Sequence, residues 1–166
     1  MSNNDHQHLN GLFNTPLEIG LRCLILLVES HRPCDLQRLK ILDYFLLHSG
    51  DLANGPESLH PLSPLQAGEF LVKRALLEKG LRLLIAKDLV QTNFTRTGIT
   101  YEAGDHAKTF LSYFDSAYAK KARSVARWVS NTFSSIDDEQ LQAIVNRTIG
   151  RWRAEFEGES IAEEEE

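Results

Sequence analysis

Residues 16–31, PLEIGLRCLILLVESH, carry apolar side chains at helical spacing on nearly every face, and a helix that is apolar all round has to be central. Leu17, Leu21, Leu24 and Val28 form one stripe, while Ile19, Cys23, Leu26 and Leu27 cover most of the rest. Pro16 suits a first helical turn, where the N–H it lacks would have no partner anyway. Arg22 is the one charge in mid-helix. It is expected to emerge at an edge or to pair with a carboxylate such as Asp43, because an unpaired buried charge is costly.

A second helix follows from Asp35, whose carboxylate can cap the free N–H groups of the first turn, with Leu36, Leu39, Leu42, Phe45 and Leu46 as its core face. Gly50 is placed to stop it in a left-handed conformation, and a Gly, Asn and Pro-rich loop runs on to Pro61. Asp43, Tyr44 and His48 lie within the helix, and Asp51 and His60 beyond it. Asp43, His48, Asp51 and His60 read first as a structural polar network that satisfies this loop. The sharper alternative is a metal or hydrolase site on the same four residues. Structural zinc sites use tighter paired spacing, usually with cysteine, so no metal and no cofactor is assigned.

The third run, PLQAGEFLVKRALLEKGLRLLIAKDL (64–89), is expected to bury Phe70, Leu71, Ala75, Leu77, Leu81, Leu84 and Ile85, with Lys73, Arg74, Lys79, Arg82 and Lys87 elsewhere on its surface. Gly80 is expected to divide it. The period then becomes two: Val90, Thr92 and Phe94, a turn at Thr95-Arg96-Thr97-Gly98, then Ile99 and Tyr101, which is a hairpin. Three helices and a hairpin is the order of a winged helix.

Beyond it come a short helix from Ala107 to about Phe114 and a longer one, Ser116 to Phe133, with the seam Tyr118, Ala122, Val125, Val129 and Phe133. Its other side carries Lys120, Lys121, Arg123 and Arg127. Asp137 is placed to cap a last helix striped by Leu141, Ile144, Val145, Trp152 and Phe156. The expected fold is therefore mainly α with a small β-hairpin. It divides into a flexible N-terminus (1–11), a winged-helix-like domain (12–114), a C-terminal helical hairpin (115–157) and a disordered acidic tail (158–166).

With 166 residues and 42% of them hydrophobic, the chain can bury one good core. A net charge of −5 argues against a protein whose main task is to coat nucleic acid. Two cysteines, Cys23 and Cys34, are too few for a disulfide framework, and no run of 18 apolar residues suggests a membrane span; a cytoplasmic protein is expected. There is no GxxxxGK[ST] and no GxGxxG loop, and no serine or cysteine stands in a recognised nucleophile context, so no catalytic residue is assigned.

Six segments together carry a family resemblance: FNTPLEIGLR (13–22), LDYFLLHSGDL (42–52), SLHP (58–61), EFLVKRALLEKGLRLL (69–84), GITYEAG (98–104) and ARWVSNTF (126–133). From Leu12 to about Phe133 the chain resembles the middle component of bacterial ABC three-component systems, of the Lamassu type of anti-phage defence. The resemblance implies a non-enzymatic adaptor that binds an ABC ATPase of the SMC or Rad50 kind and links it to an effector such as a nuclease, with any DNA contact made through the complex. The contact surfaces expected on that reading are the loop at Ser58 and His60 and the C-terminal helices, through Arg123, Arg127, Trp128, Arg151 and Trp152, since aromatic and Arg side chains dominate interface energetics. The alternative is a winged-helix transcriptional regulator touching DNA through Lys73, Arg74, Lys79, Arg82, Arg96, Lys120 and Lys121.

Overall fold

In the computed structural model, which describes residues 15–30, 32–61 and 66–164, helix α1 (Pro16–Glu29) opens with a capping box. Thr15 Oγ1 accepts from the Glu18 N–H at 3.3 Å, and the Thr15 N–H donates to Glu18 Oε2 at 3.2 Å. A two-residue strand β1 (Cys34–Asp35) leads into α2 (Leu36–Leu47), and Asp35 caps that helix as expected, its Oδ1 accepting from the Arg38 N–H at 2.7 Å. Helix α3 (Gln66–Ile85) is followed by the hairpin β2 (Val90–Thr95) and β3 (Gly98–Ala103), then α4 (Ala107–Ser112), α5 (Ala117–Thr132) and α6 (Asp138–Glu164).

The protein is thus mainly α with a small antiparallel sheet. The sheet has three strands in the order β1-β3-β2, because Cys34 pairs with Tyr101 and Asp35 with Thr100, a strand too short to be visible as an alternating pattern. Helix α6 reaches Glu164 and so runs into the stretch 158–166 that was expected to be a disordered tail; Ala and Glu are strong helix formers and can extend a helix that is anchored upstream. The expected N-terminal segment 1–11, and the side chains of Leu71, Trp152 and Phe156, lie outside the described residues.

Helix α1 packs against α3 and α5, and α2 against α3, α5 and α6. Ile19, Cys23, Leu24 and Leu26 of α1 are fully buried, as its all-round apolarity requires, although Leu17 is left 54% exposed at the first turn. Ala122, Val125 and Val129 of α5, Phe133 at its C-cap, and Leu141 and Val145 of α6 join the same continuous core as α1 to α3. Phe45 stacks on Phe133 at 5.2 Å between ring centres, a contact that ties α2 to the end of α5 and contributes roughly 0.5–1.5 kcal/mol beyond the area it buries.

Two glycines do other work than expected. Gly80 does not divide α3, which is continuous; it lets α3 cross α1 at backbone contact. A Cβ on Gly80 would meet Pro16 O and lie 2.8 Å from Gly20 N, and one on Gly20 would lie 2.9 Å from Gly80 O. Gly50 is not left-handed, since Gly98 is the only glycine with positive φ among the described residues. Helix α2 ends at Leu47, and Gly50 sits in a 3₁₀ turn (Ser49–Asp51), where the loop passes so close that a Cβ would lie 2.9 Å from Ser58 Oγ. Helix α3 ends instead on Asp88, at φ 56°: the Leu89 N–H donates to Leu84 O at 3.0 Å and the Asp88 N–H to Ile85 O at 3.0 Å, a Schellman closure with Asp in the usual place of Gly.

Candidate functional site

Asp43 lies in mid-α2 with no exposure. Arg22 Nε stands 2.6 Å from its Oδ1 and Arg22 Nη2 3.2 Å from its Oδ2, the pairing expected from sequence. Lys73 Nζ stands 2.7 Å from Oδ2, so Lys73, expected on the surface of α3 and among the DNA contacts, is 8% exposed and committed to the interior. Its neighbour Ala75, expected in the core, is exposed, and the face that α3 buries runs through Phe70, Lys73, Leu77, Leu81 and Leu84. Burial alone would raise the Asp43 carboxyl, but Arg22 and Lys73 hold it well below the usual carboxylate range. The cluster therefore carries a buried net charge of +1.

The histidines respond to that charge. Burial, then Lys73 and His60, lower His48 to about 3; burial, then Arg22 and Lys73, lower His60 to about 4. Both rings are neutral at neutral pH, far from the value near 7 that suits general acid–base work. Each of the four residues of the expected polar network has a partner within the chain. Asp43 holds the two cations, Asp51 Oδ2 accepts from Tyr44 Oη at 2.9 Å, His48 packs at 5.1 Å on the Tyr44 ring, and His60 Nε2 lies 3.2 Å from Tyr118 Oη. Among the described residues no three His, Cys, Asp or Glu side chains are placed to hold a metal ion.

The Ser58–Pro61 loop ties α2 to α5. The Gly50 N–H donates to Ser58 Oγ at 3.0 Å, the His60 N–H to Leu47 O at 3.1 Å, and Lys121 Nζ lies 2.7 Å from Glu57 Oε2. Ser58, His60 and Lys121, expected at partner or DNA surfaces, also make contacts within the chain, and Lys121 stays exposed. On the basic side of α5, Arg123 and Arg127 also have partners within the chain, although the Arg127 side chain stays 65% exposed. Arg123 Nη1 donates to Leu111 O and Phe114 O, both at 2.9 Å, closing the C-terminal end of α4, and Arg127 forms a fork on Glu29 at 3.0 and 3.2 Å. Trp128 is half-buried against the core.

Arg38 was not singled out from sequence. Its side chain is 4% exposed and donates to Phe133 O at 2.6 Å, Ile136 O at 3.1 Å and Asp138 Oδ1 at 2.7 Å, fastening the α5–α6 turn onto α2. The signal was available: like Arg22, it is a cation within an apolar helical run.

Other cations and several aromatics face outward without those ties. Lys79 and Arg82 in the second half of α3, Lys87 just beyond it and Arg96 on the hairpin are exposed, as are Arg74, which pairs with Glu78 at 3.3 Å, Lys120 and Arg151. Leu83 is 48% exposed between the basic side chains. Phe94, in the period-two pattern with Val90 and Thr92, is 82% exposed, and Ile99, its partner in register, is exposed too. Tyr113, 79% exposed, stands with Phe114 and Tyr118 at the corner between α4 and α5.

A mainly helical chain with a three-stranded sheet, its buried Arg22, Arg38, Asp43 and Lys73 in ion pairs and its outermost aromatics uncovered, has the make-up of a component that meets other chains. The family model described as ABC-three component (ABC-3C) system Middle Component 2 matches residues 12–155, and the chain belongs to that family. No curated protein and no solved structure matches it. Among the described residues no helix is long and apolar enough to cross a membrane.

Proposed function

We propose that this middle component is a non-enzymatic adaptor, winged-helix-like in its first part, that binds an SMC- or Rad50-like ABC ATPase and links it to a nuclease effector in a cytoplasmic, Lamassu-type anti-phage defence complex. The observation that carries the reading is the family match over residues 12–155, since a middle component acts with the other members of its system. A shape change in the ATPase would release the effector through differential contacts with the adaptor in its two states. The surfaces that fit this role are the hairpin tip at Phe94 and Ile99 and the corner at Tyr113 and Phe114, whose exposed aromatic side chains are of the kind that anchor interfaces.

The test is co-expression with the other two components and capture through a tag on this chain. Phe94→Ser and Tyr113→Ser should each reduce recovery of the ATPase at least tenfold while the circular dichroism spectrum is retained. Full recovery with the double variant sinks the surface assignment, and failure of the wild-type chain to recover any ATPase sinks the adaptor reading. Arg123→Glu is unsuitable here, because it would set a carboxylate against the carbonyls of Leu111 and Phe114.

The exposed cations Lys79, Arg82, Lys87 and Arg96 favour a second reading, direct duplex contact. Binding by the isolated chain should then weaken with salt in proportion to the phosphates contacted, with a shallower slope in Arg82→Ala. Lys73 is no longer part of that set.

A further inference from the structure

A cavity of about 90 Å³ lies where the end of α1, the middle of α2 and the end of α5 meet, lined by Ser30, Arg32, Arg38, Ser130 and Ser134 with the apolar walls of Leu42 and Phe133. Its polar lining contains two guanidiniums, three hydroxyls and no carboxylate. Asp138 reaches both arginines, at 3.0 Å from Arg32 and 2.7 Å from Arg38, and offsets one of the two positive charges.

Ser130 Oγ is the one buried side-chain polar atom without a hydrogen-bond partner among the described residues, and the residue is 7% exposed. Helical hydroxyls ordinarily have an easy solution, donation to the carbonyl four residues back, which Thr132 takes at 2.7 Å and Thr148 at 3.0 Å. Ser130 does not take it. The other two hydroxyls are engaged: Ser30 Oγ donates to Arg32 O at 2.7 Å and Ser134 Oγ to Asn131 O at 2.9 Å. Ser130 thus brings an uncommitted O–H donor to a cavity of net positive charge. A buried hydroxyl left without a partner costs about 1–3 kcal/mol, so a ligand that accepts from it is favoured.

We propose that this cavity is a binding site for a phosphate-sized tetrahedral oxyanion, held by the Ser130 hydroxyl and the Arg32 guanidinium, with Arg38 supplying charge from the floor. Size is compatible with the class, since a cavity of about 90 Å³ has room for one such oxyanion. Charge sets the sign. Arg32 is the adaptable donor, because its side chain is 42% exposed, whereas Arg38 is fastened to the α5–α6 turn.

The test is titration of the full chain with inorganic phosphate against chloride at matched ionic strength, read by calorimetry and by thermal melting. Phosphate stabilises folded proteins generally by exclusion from their surfaces, so the comparison between variants decides. Wild type should bind with saturation, and Ser130→Ala and Arg32→Gln should each weaken binding at least tenfold. In chloride, Ser130→Ala should melt no lower than wild type, since it deletes a hydroxyl with no partner. Equal stabilisation of wild type and Ser130→Ala by phosphate, or acetate binding as tightly as phosphate, would overturn the assignment.

Discussion

Asp43→Asn removes one negative charge from the interior while keeping the side chain's shape and one acceptor. The cluster then rises from +1 to +2, with the Arg22 side chain 5% exposed and that of Lys73 10% exposed. Removing one partner of a buried ion pair costs about 3–5 kcal/mol, because the remaining charge is stranded. Two cations lose their partner here, but Lys73 stands nearer the surface and a neutral acceptor remains, so we place the loss at about 3 kcal/mol. Against a usual domain stability of about 5–15 kcal/mol, that is a large fraction. In urea unfolding followed by circular dichroism at pH 7, with a slope near 2 kcal/mol per molar, the midpoint should fall by about 1.5 M. A fall below about 0.5 M at unchanged slope would refute the reasoning. The folded carboxyl titrates below its unfolded value, so its contribution is complete above about pH 4 and is lost only as pH falls through the depressed folded value. The difference between variant and wild type should accordingly stay constant from pH 8 to 5. Arg22→Met, Asp43→Leu and Lys73→Met combined should recover most of the loss, since a buried triad can often be replaced by apolar side chains of similar volume without penalty.

Gly80→Ala should destabilise by about 1–3 kcal/mol in the same assay, the backbone clash with Pro16 and Gly20 outweighing a gain in helix propensity of roughly 1 kcal/mol; a stabilised variant would show that the helices can separate freely. Asp88→Gly should stabilise by about 0.5 kcal/mol, by relieving a left-handed Asp in the Schellman closure against the added freedom of the unfolded chain. Because the folded values of His48 and His60 lie at about 3 and about 4, below the ordinary 6.5, the unfolded chain takes up protons first. Stability should decline as pH drops below 6.5, by up to about 1.4 kcal/mol per pH unit for His48, with less from the more open His60. His48→Gln should flatten that slope between pH 6 and 4, and an unchanged slope would count against a buried neutral ring.

The elements that could be foreseen are those whose signal is local. Periodicity located the helices, Asp35 and Asp137 announced their caps, and the change to a period of two at Val90 announced the hairpin. The Arg22–Asp43 pair followed from one argument: a charge in an all-apolar helix needs a partner, and the next helix offered a carboxylate. The misplacements arise where an identity has two physical uses and only the tertiary structure selects one. Gly80 could break a helix or admit a neighbour, and α1 crosses at that point. Lys73 could face solvent or Asp43, and a single carboxylate between two cations is not visible in one dimension. Arg123 and Arg127 form a stripe that suits an external partner, and each also finds acceptors at α4 and α1, because a helix docking by its apolar seam brings the flanking basic side chains against its neighbours. Both cations hold partners within the chain while the Arg127 side chain stays 65% exposed, so replacing them tests the fold and the surface together. That coupling moves the test of the adaptor reading from Arg123 and Arg127 to Phe94 and Tyr113, whose replacement leaves the core unchanged.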